Sequence, residues 1–168
     1  MTGTDESAPG EPALLGIYLN DHLAGATGGL ELARRTARAT GGSRVGSTLD
    51  RIVTEVEEDR ESLLAAMRAL GVPVRQYKVY AGWLGERLGR LKLNGHLLDR
   101  SPLSTLVELE ALRLGVEGKA AGWRTLRTVA ERDHRLDVGT FDRLIGRARE
   151  HADTLEELRV QTAAEIFS

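Results

Sequence analysis

One helical face near the amino terminus constrains the fold of this chain more than any other feature of its sequence. Between Leu14 and Arg35, apolar and small residues recur at steps of three and four, as on one face of an amphipathic helix. The members of this face, which continues just past Arg35, are Leu15, Leu19, His22, Ala26, Leu30, Ala33 and Ala37. His22 is expected to point inward, whereas Asn20 and Glu31 fall on the opposite side. A helix with such a face has to pack against other helices.

The overall composition is that of one globular domain. The chain has 168 residues, 41% of them hydrophobic, which is enough for a single hydrophobic core. A formal net charge of −2 gives no basic excess that would predict nucleic acid or an anionic membrane as a partner. Because cysteine is absent, disulfides, thiolate nucleophiles and cysteine-based zinc sites are excluded.

The amino terminus is interpreted as a flexible tail. Residues 1–12 are acidic, contain proline and glycine, and lack the basic start and apolar core of a secretory signal. No run in the chain approaches the roughly 18 consecutive apolar residues of a membrane span. We therefore expect a single domain over residues 13–168, located in the cytoplasm and without a membrane partner.

Prolines, glycines and capping residues divide the domain into five predicted helices. The first runs from about Ala13 to Ala39, and the second follows a capping box of Ser47 and Asp50 and ends at Gly71. The third helix is opened by Pro73 and continues to Leu91. The fourth is strongly apolar, runs from Leu103 to about Glu131 and is capped by Ser101 and Pro102. The apolar face of the last helix runs from Phe141 to Ile166.

The connections between these helices predict the topology. No stretch alternates as a strand would, so the predicted class is all-α. Short connections make the first and last pairs antiparallel hairpins. The middle helix, at 1.5 Å per residue, spans about 30 Å and could carry the chain back along the bundle. Two hairpins joined by such a crossover helix form a ferritin-like four-helix bundle.

Two segments carry a family resemblance. YLNDHLAGATGGLELARR and SPLSTLVELEALRLGVEGK resemble uncharacterised ferritin-like helical-bundle proteins of actinobacteria, over most of the chain beyond the tail. The resemblance implies a bundle but not iron. Di-metal members of this fold use a glutamate from each of two helices and Glu-x-x-His from the other two. Here Glu55 and Glu58 have no histidine in their helix, and Ala148 precedes His151 by three residues.

Six polar residues are predicted to face the bundle interior and form a candidate site. They are His22, Asp59, Glu110, Arg113, Glu117 and His151. One interpretation is an internal ladder of ion pairs with two hydrogen-bonded core histidines, because buried charges have to be paired. The other is a degenerate metal or small-molecule site, although the guanidinium of Arg113 would compete with a cation for the carboxylates.

Two further patterns have structural interpretations. The acidic run from Glu55 to Glu61 is typical of a solvated helix face. Glycines in the first and third predicted helices lower helix propensity, so we expect close helix contact as compensation. These glycines are Gly25, Gly28, Gly29, Gly82, Gly85 and Gly89.

The sequence contains no motif that indicates a specific activity. A phosphate-binding GxxxxGK[ST] loop, HExxH and GxSxG are all absent. The expected function is a non-catalytic bundle without cofactor that acts through protein interaction or as a homodimer. Two alternatives stay open: a divergent di-metal carboxylate protein holding iron or manganese, and a small-ligand-binding bundle with a pocket lined by His22 and Trp123.

Overall fold

The computed structural model describes residues 11–75 and 101–168, which form four helices and, within these ranges, no strand. The helices are α1 (Glu11–Ala39), α2 (Arg44–Leu70), α3 (Pro102–Ala130) and α4 (Val138–Phe167). The predicted all-α class is thus confirmed for the described residues. None of these helices is long and apolar enough to cross a membrane.

The helix ends follow local capping chemistry. Gly71 ends α2 in the left-handed conformation, with φ of 71°, and Ser101 caps α3 with Pro102 at its start, as predicted. Asp137 caps α4 by accepting hydrogen bonds from the backbone N–H groups of Gly139 and Thr140. These three boundaries are therefore set by residues within a few positions of each helix end.

Three predicted boundaries differ from the structure. The N-cap of α2 is Ser43, whose Oγ accepts from Gly46 N, so Ser47 lies within the helix and its predicted capping box is wrong. The helix α1 begins at Glu11 rather than at Ala13. Residues 72–75 are not helical, and the rest of the predicted third helix lies outside the described residues.

The four helices pack around one hydrophobic core. Helix α1 lies between α2 and α3, and α3 also packs along α4, while α2 and α4 approach each other less closely. The largest fully buried apolar side chains come from all four helices and are Leu19, Leu49, Met67, Leu109, Leu126, Leu155 and Leu158. The apolar faces predicted for the four described helices therefore contribute to the same core.

Specific contacts show that neighbouring helices are antiparallel. Tyr18 near the start of α1 contacts Thr125 near the end of α3, and Thr36 near the end of α1 contacts Glu108 near the start of α3. The end of α2 lies beside the start of α1, since a Cβ placed on Gly16 would lie 3.8 Å from Cγ1 of Val72. Thus α2 ends and α3 begins at opposite ends of α1.

Asn20 joins the end of α2 to α1. Its side-chain amide donates to the carbonyl oxygens of Gly16 and Pro73, and its Oδ1 accepts from the backbone N–H of Arg75 at 2.7 Å. Asn20 is 2% exposed, so the side of α1 opposite His22 is buried at this position. Residues 72–75 cover this side of α1. The periodicity of one helix cannot predict which other segment covers it.

Candidate functional site

A cavity of about 490 Å³ lies between α1 and α3. Its lining extends along α1 from Tyr18 to Ala33 and along α3 from Ala111 to Leu126. Most of its wall is apolar and includes Leu19, Ile52, Val56, Leu63, Leu112, Val116, Leu126 and Leu155. The few polar side chains of the wall belong to Tyr18, Asp21, His22, Lys119 and Trp123.

Glycines keep the mouth of this cavity open. Gly25 and Gly29 on α1, and Gly115 and Gly118 on α3, have no described atom within 4 Å of the place a Cβ would occupy. The antiparallel register of α1 and α3 places Gly29 opposite Gly115. Among the described residues, no close helix contact is therefore found at Gly25 and Gly29, where larger side chains would fill the opening.

His22 is held against α3 by the absence of a side chain at Gly122. A Cβ on Gly122 would lie 2.9 Å from Nδ1 of His22, and the imidazole also packs on the ring of Tyr18 with centroids 4.4 Å apart. Burial lowers the pKa of His22, which the nearby Asp21 carboxylate partly opposes. His22 is thus a half-buried, neutral imidazole on the cavity wall.

Lys119 connects the cavity wall to a buried polar cluster. Its ammonium donates to Asp59 Oδ2 at 2.5 Å and to His151 Nδ1 at 3.1 Å. The Asp59 side chain is 2% exposed and that of Lys119 14% exposed. Lys119 lies on the apolar face of α3 that also carries Val116 and Trp123, which is why its amine reaches the interior.

The same cluster joins α2 to α4. Arg147 donates to Asp59 through one terminal nitrogen and to Glu58 Oε2 at 2.7 Å through the other. Nε2 of His151 lies 2.5 Å from Glu55 Oε2. The buried Asp59 is therefore paired with two cations, which offsets the cost of removing its charge from water.

The hydrogen-bond partners of His151 define its tautomer. A lysine ammonium can only donate, so Nδ1 of His151 accepts from Lys119 and the ring proton resides on Nε2, facing the Glu55 carboxylate. Burial, and secondly the charge of Lys119, lower the pKa of His151, which favours this neutral form. Burial also lowers the pKa of Lys119, against the opposing effect of Asp59.

Trp123 contributes its ring to the cavity wall. The side chain is 3% exposed, and its Nε1–H is buried without a hydrogen-bond partner among the described residues. Its ring packs against that of Phe141 on α4, with centroids 6.2 Å apart. The sequence predicts a pocket lined by His22 and Trp123, and both residues line this cavity.

The six predicted site residues separate into three groups. Asp59 and His151 meet in the polar cluster through Lys119, and His22 lies on the cavity wall. Glu110 and Glu117 are exposed, and Arg113 pairs with Glu156 of α4 at 3.3 Å. The inward line of Glu110, Arg113 and Glu117 is therefore not formed, because the apolar face of α3 turns these side chains toward solvent and the edge of α4.

Three members of the cluster were not singled out by the sequence patterns. Glu55 was assigned to the solvated face, yet it contacts His151. Lys119 could have been found, because it occupies a position of the apolar face between Val116 and Trp123. Arg147 is four residues before His151 and so lies on the same side of α4.

The described residues hold no group of three or more His, Asp or Glu side chains that could bind a metal ion. The closest approximation is Asp59, Glu55 and His151, but the cations of Lys119 and Arg147 occupy both oxygens of Asp59. In the comparisons with known proteins, no family model, no curated protein and no solved structure matches this chain.

Proposed function

We propose that this protein binds a small, predominantly apolar molecule in the cavity between α1 and α3. The observation that carries the proposal is a cavity of about 490 Å³ whose wall is apolar except for a few polar side chains. Ligand sites typically have volumes of about 300–1,000 Å³ and a lining of this kind.

The open glycines give independent support. A glycine inside a helix destabilises it by up to about 1 kcal/mol relative to alanine. At Gly25, Gly29, Gly115 and Gly118 no described atom would obstruct a methyl group, so packing within the described chain does not require glycine there. Space for a bound molecule accounts for these four positions.

The test uses the neutral fluorophore N-phenyl-1-naphthylamine as an apolar probe. We expect its emission to rise on binding and 1-octanol to displace it. Gly115→Leu, which fills the cavity, should weaken probe binding by tenfold or more. The matched control is Gly146→Leu, since Gly146 is also a helical glycine with open space around it but does not line the cavity. Absence of probe binding, or equal binding by Gly115→Leu, would refute the function.

Self-association is a second candidate, favoured by an exposed apolar face on α4. Val160 and Phe167 are 50% and 73% exposed and lie seven residues apart, on one side of the helix. The second proposal is a homodimer in which this face is covered by the other copy. Native mass measurement at micromolar concentration tests it. A dimer in the unchanged protein that becomes a monomer in Val160→Glu would support it, and a monomer throughout would refute it.

Ferritin-like connectivity is a proposal about the same fold. Two antiparallel hairpins, with the end of α2 and the start of α3 at opposite ends of α1, support a long crossover between them. The crossover helix, the likeness to actinobacterial bundle proteins and the cytoplasmic location stay predictions. A di-iron or di-manganese centre lacks support in the described ligand set.

A further inference from the structure

We propose that Lys119 is a nucleophile that forms a reversible imine with an apolar aldehyde bound in the cavity between α1 and α3. The inference rests on the proposed function, because it names the chemical class of molecule that the cavity holds. It also gives the buried polar cluster a role that ion pairing alone does not require.

The geometry is that of an activated nucleophile. Such sites place a nucleophile within hydrogen-bond reach of a base, which a third group orients. Here Nζ of Lys119 is 3.1 Å from Nδ1 of His151, and Nε2 of the same ring is 2.5 Å from the Glu55 carboxylate. Glu55 therefore fixes the tautomer that leaves Nδ1 free to accept a proton from Lys119.

Lys119 retains one donor position for the cavity. An ammonium has three N–H groups, and the described contacts of Lys119 use two of them, toward Asp59 and His151. Lys119 also forms part of the cavity wall. Transfer of the proton shared with His151 leaves the lone pair of the amine facing that ring. Rotation about the Cε–Nζ bond then turns the lone pair toward the mostly apolar volume while an N–H group still donates to Asp59.

The environment of Lys119 favours the neutral amine more than water would. Its burial disfavours the charged form, and the Asp59 carboxylate opposes this effect. Arg147 pairs with the same carboxylate and so weakens its hold on Lys119. Lysines activated by desolvation beside another cation are the ones that form imines with carbonyl compounds.

The reaction balances without an added reagent. The Lys119 ammonium gives one proton to His151, and the amine forms a C–N bond with the aldehyde carbon as the carbonyl π electrons move to oxygen. A proton then passes from nitrogen to that oxygen to give a carbinolamine. The hydroxyl leaves as water with the proton held by His151, and nitrogen forms the C=N bond. The product is a protonated imine, whose positive charge Asp59 continues to pair.

Trapping with a reductant tests this reaction on the full-length protein. We would incubate the protein with octanal and sodium cyanoborohydride and map the alkylated peptides by mass spectrometry. The chain has only two other lysines, Lys78 and Lys92, which together with the amino terminus serve as internal references. We expect the octyl group at Lys119 well before these other amines react.

Two variants separate the roles of the residues. Lys119→Arg keeps a cation for Asp59 and should lose the adduct at this position. His151→Gln keeps Lys119 and should slow trapping by roughly 100-fold or more, which is the scale of a lost general base. Far-UV circular dichroism checks that each variant is folded. If a variant does not fold, the peptide map of the unchanged protein still tests imine formation at Lys119.

The outcomes distinguish this inference from the proposed function. Equal labelling of all three lysines, or undiminished labelling of Lys119 in Gly115→Leu, would overturn imine formation. Probe binding without octanal capture at Lys119 would overturn the inference and leave the binding function intact. Absence of binding by both the fluorophore and octanal would overturn both.

Discussion

The imidazole of His22 occupies the space into which a side chain at Gly122 would project, with Nδ1 2.9 Å from the Cβ position. This relationship couples a residue of α1 to the backbone of α3 at the wall of the cavity. It also keeps the His22 ring in its half-buried site beside Tyr18.

Gly122→Ala should therefore move the His22 ring toward solvent. Burial is the main cause of the lowered His22 pKa, so the pKa should rise toward the ordinary histidine value of 6.5. An NMR titration of the imidazole resonances measures this change. Gly118→Ala is the control, because its methyl group would meet no described atom and should leave the His22 pKa as it is.

Alanine at the open glycines should stabilise the protein. Gly25→Ala and Gly115→Ala remove the conformational cost of a helical glycine without a steric conflict, so we expect up to about 1 kcal/mol more free energy of unfolding for each. Gly46→Ala should be destabilising, since its Cβ would lie 2.5 Å from the carbonyl oxygen of Thr40. Urea denaturation compares the free energies of unfolding of the three variants. A loss of stability in both Gly25→Ala and Gly115→Ala would contradict the open space around these two glycines.

Asp59→Asn should destabilise the fold strongly. Asp59 is 2% exposed and pairs with Lys119 and Arg147, so the substitution leaves two cations without their buried counter-charge. Breaking a buried ion pair in this way costs about 3–5 kcal/mol. Glu61→Gln, at an exposed position of the same helix, should change the free energy of unfolding by less than about 0.5 kcal/mol. Similar effects of the two changes would mean that the cluster contributes little.

Acidification should destabilise the protein through its two interior histidines. The folded-state pKa values of His22 and His151 lie below the ordinary histidine value of 6.5, so below this pH the unfolded chain binds more protons than the folded one. Stability is then fully present above about pH 6.5 and is lost as pH falls toward the folded-state values. The pKa of Glu55 is lowered chiefly by its hydrogen bond to His151, so this group adds a further loss of stability only below the ordinary glutamate value of 4.5.

Urea denaturation between about pH 7.5 and pH 5 measures this dependence. His22→Gln removes one of the two contributions, so the decrease in free energy of unfolding should become smaller but should persist. A stability that stays constant over this range, or that rises on acidification, would contradict the assignment of both rings as neutral in the folded protein.

The elements that could be predicted from the sequence are those that depend on local chemistry. Gly71 and the Ser101–Pro102 pair mark helix ends because caps involve residues a few positions apart. The inward positions of Asp59 and His151 follow from helical periodicity in the same way. Their shared partner, Lys119, depends on which helices become neighbours, and that information is not contained in any one helix.

The errors have a similar origin. Periodicity gives the centre of an apolar face but not its width, so Glu110 and Glu117 were placed inward although they lie beyond the edge of the buried face. The burial of Asn20, on the side of α1 opposite His22, was not predicted because the segment that covers it follows a different helix. In both cases the missing information is the position of a neighbour.

Asn20 binds the segment after α2 through backbone groups alone, accepting from the N–H of Arg75 and donating to the carbonyl oxygen of Pro73. These groups are present whatever side chains the segment carries, apart from the N–H that a proline at position 75 would remove. Positions 74 and 75, whose side chains are exposed, should therefore accept many substitutions while the path of the chain is preserved. Position 20 should accept very few, since it requires one donor and one acceptor on a short side chain.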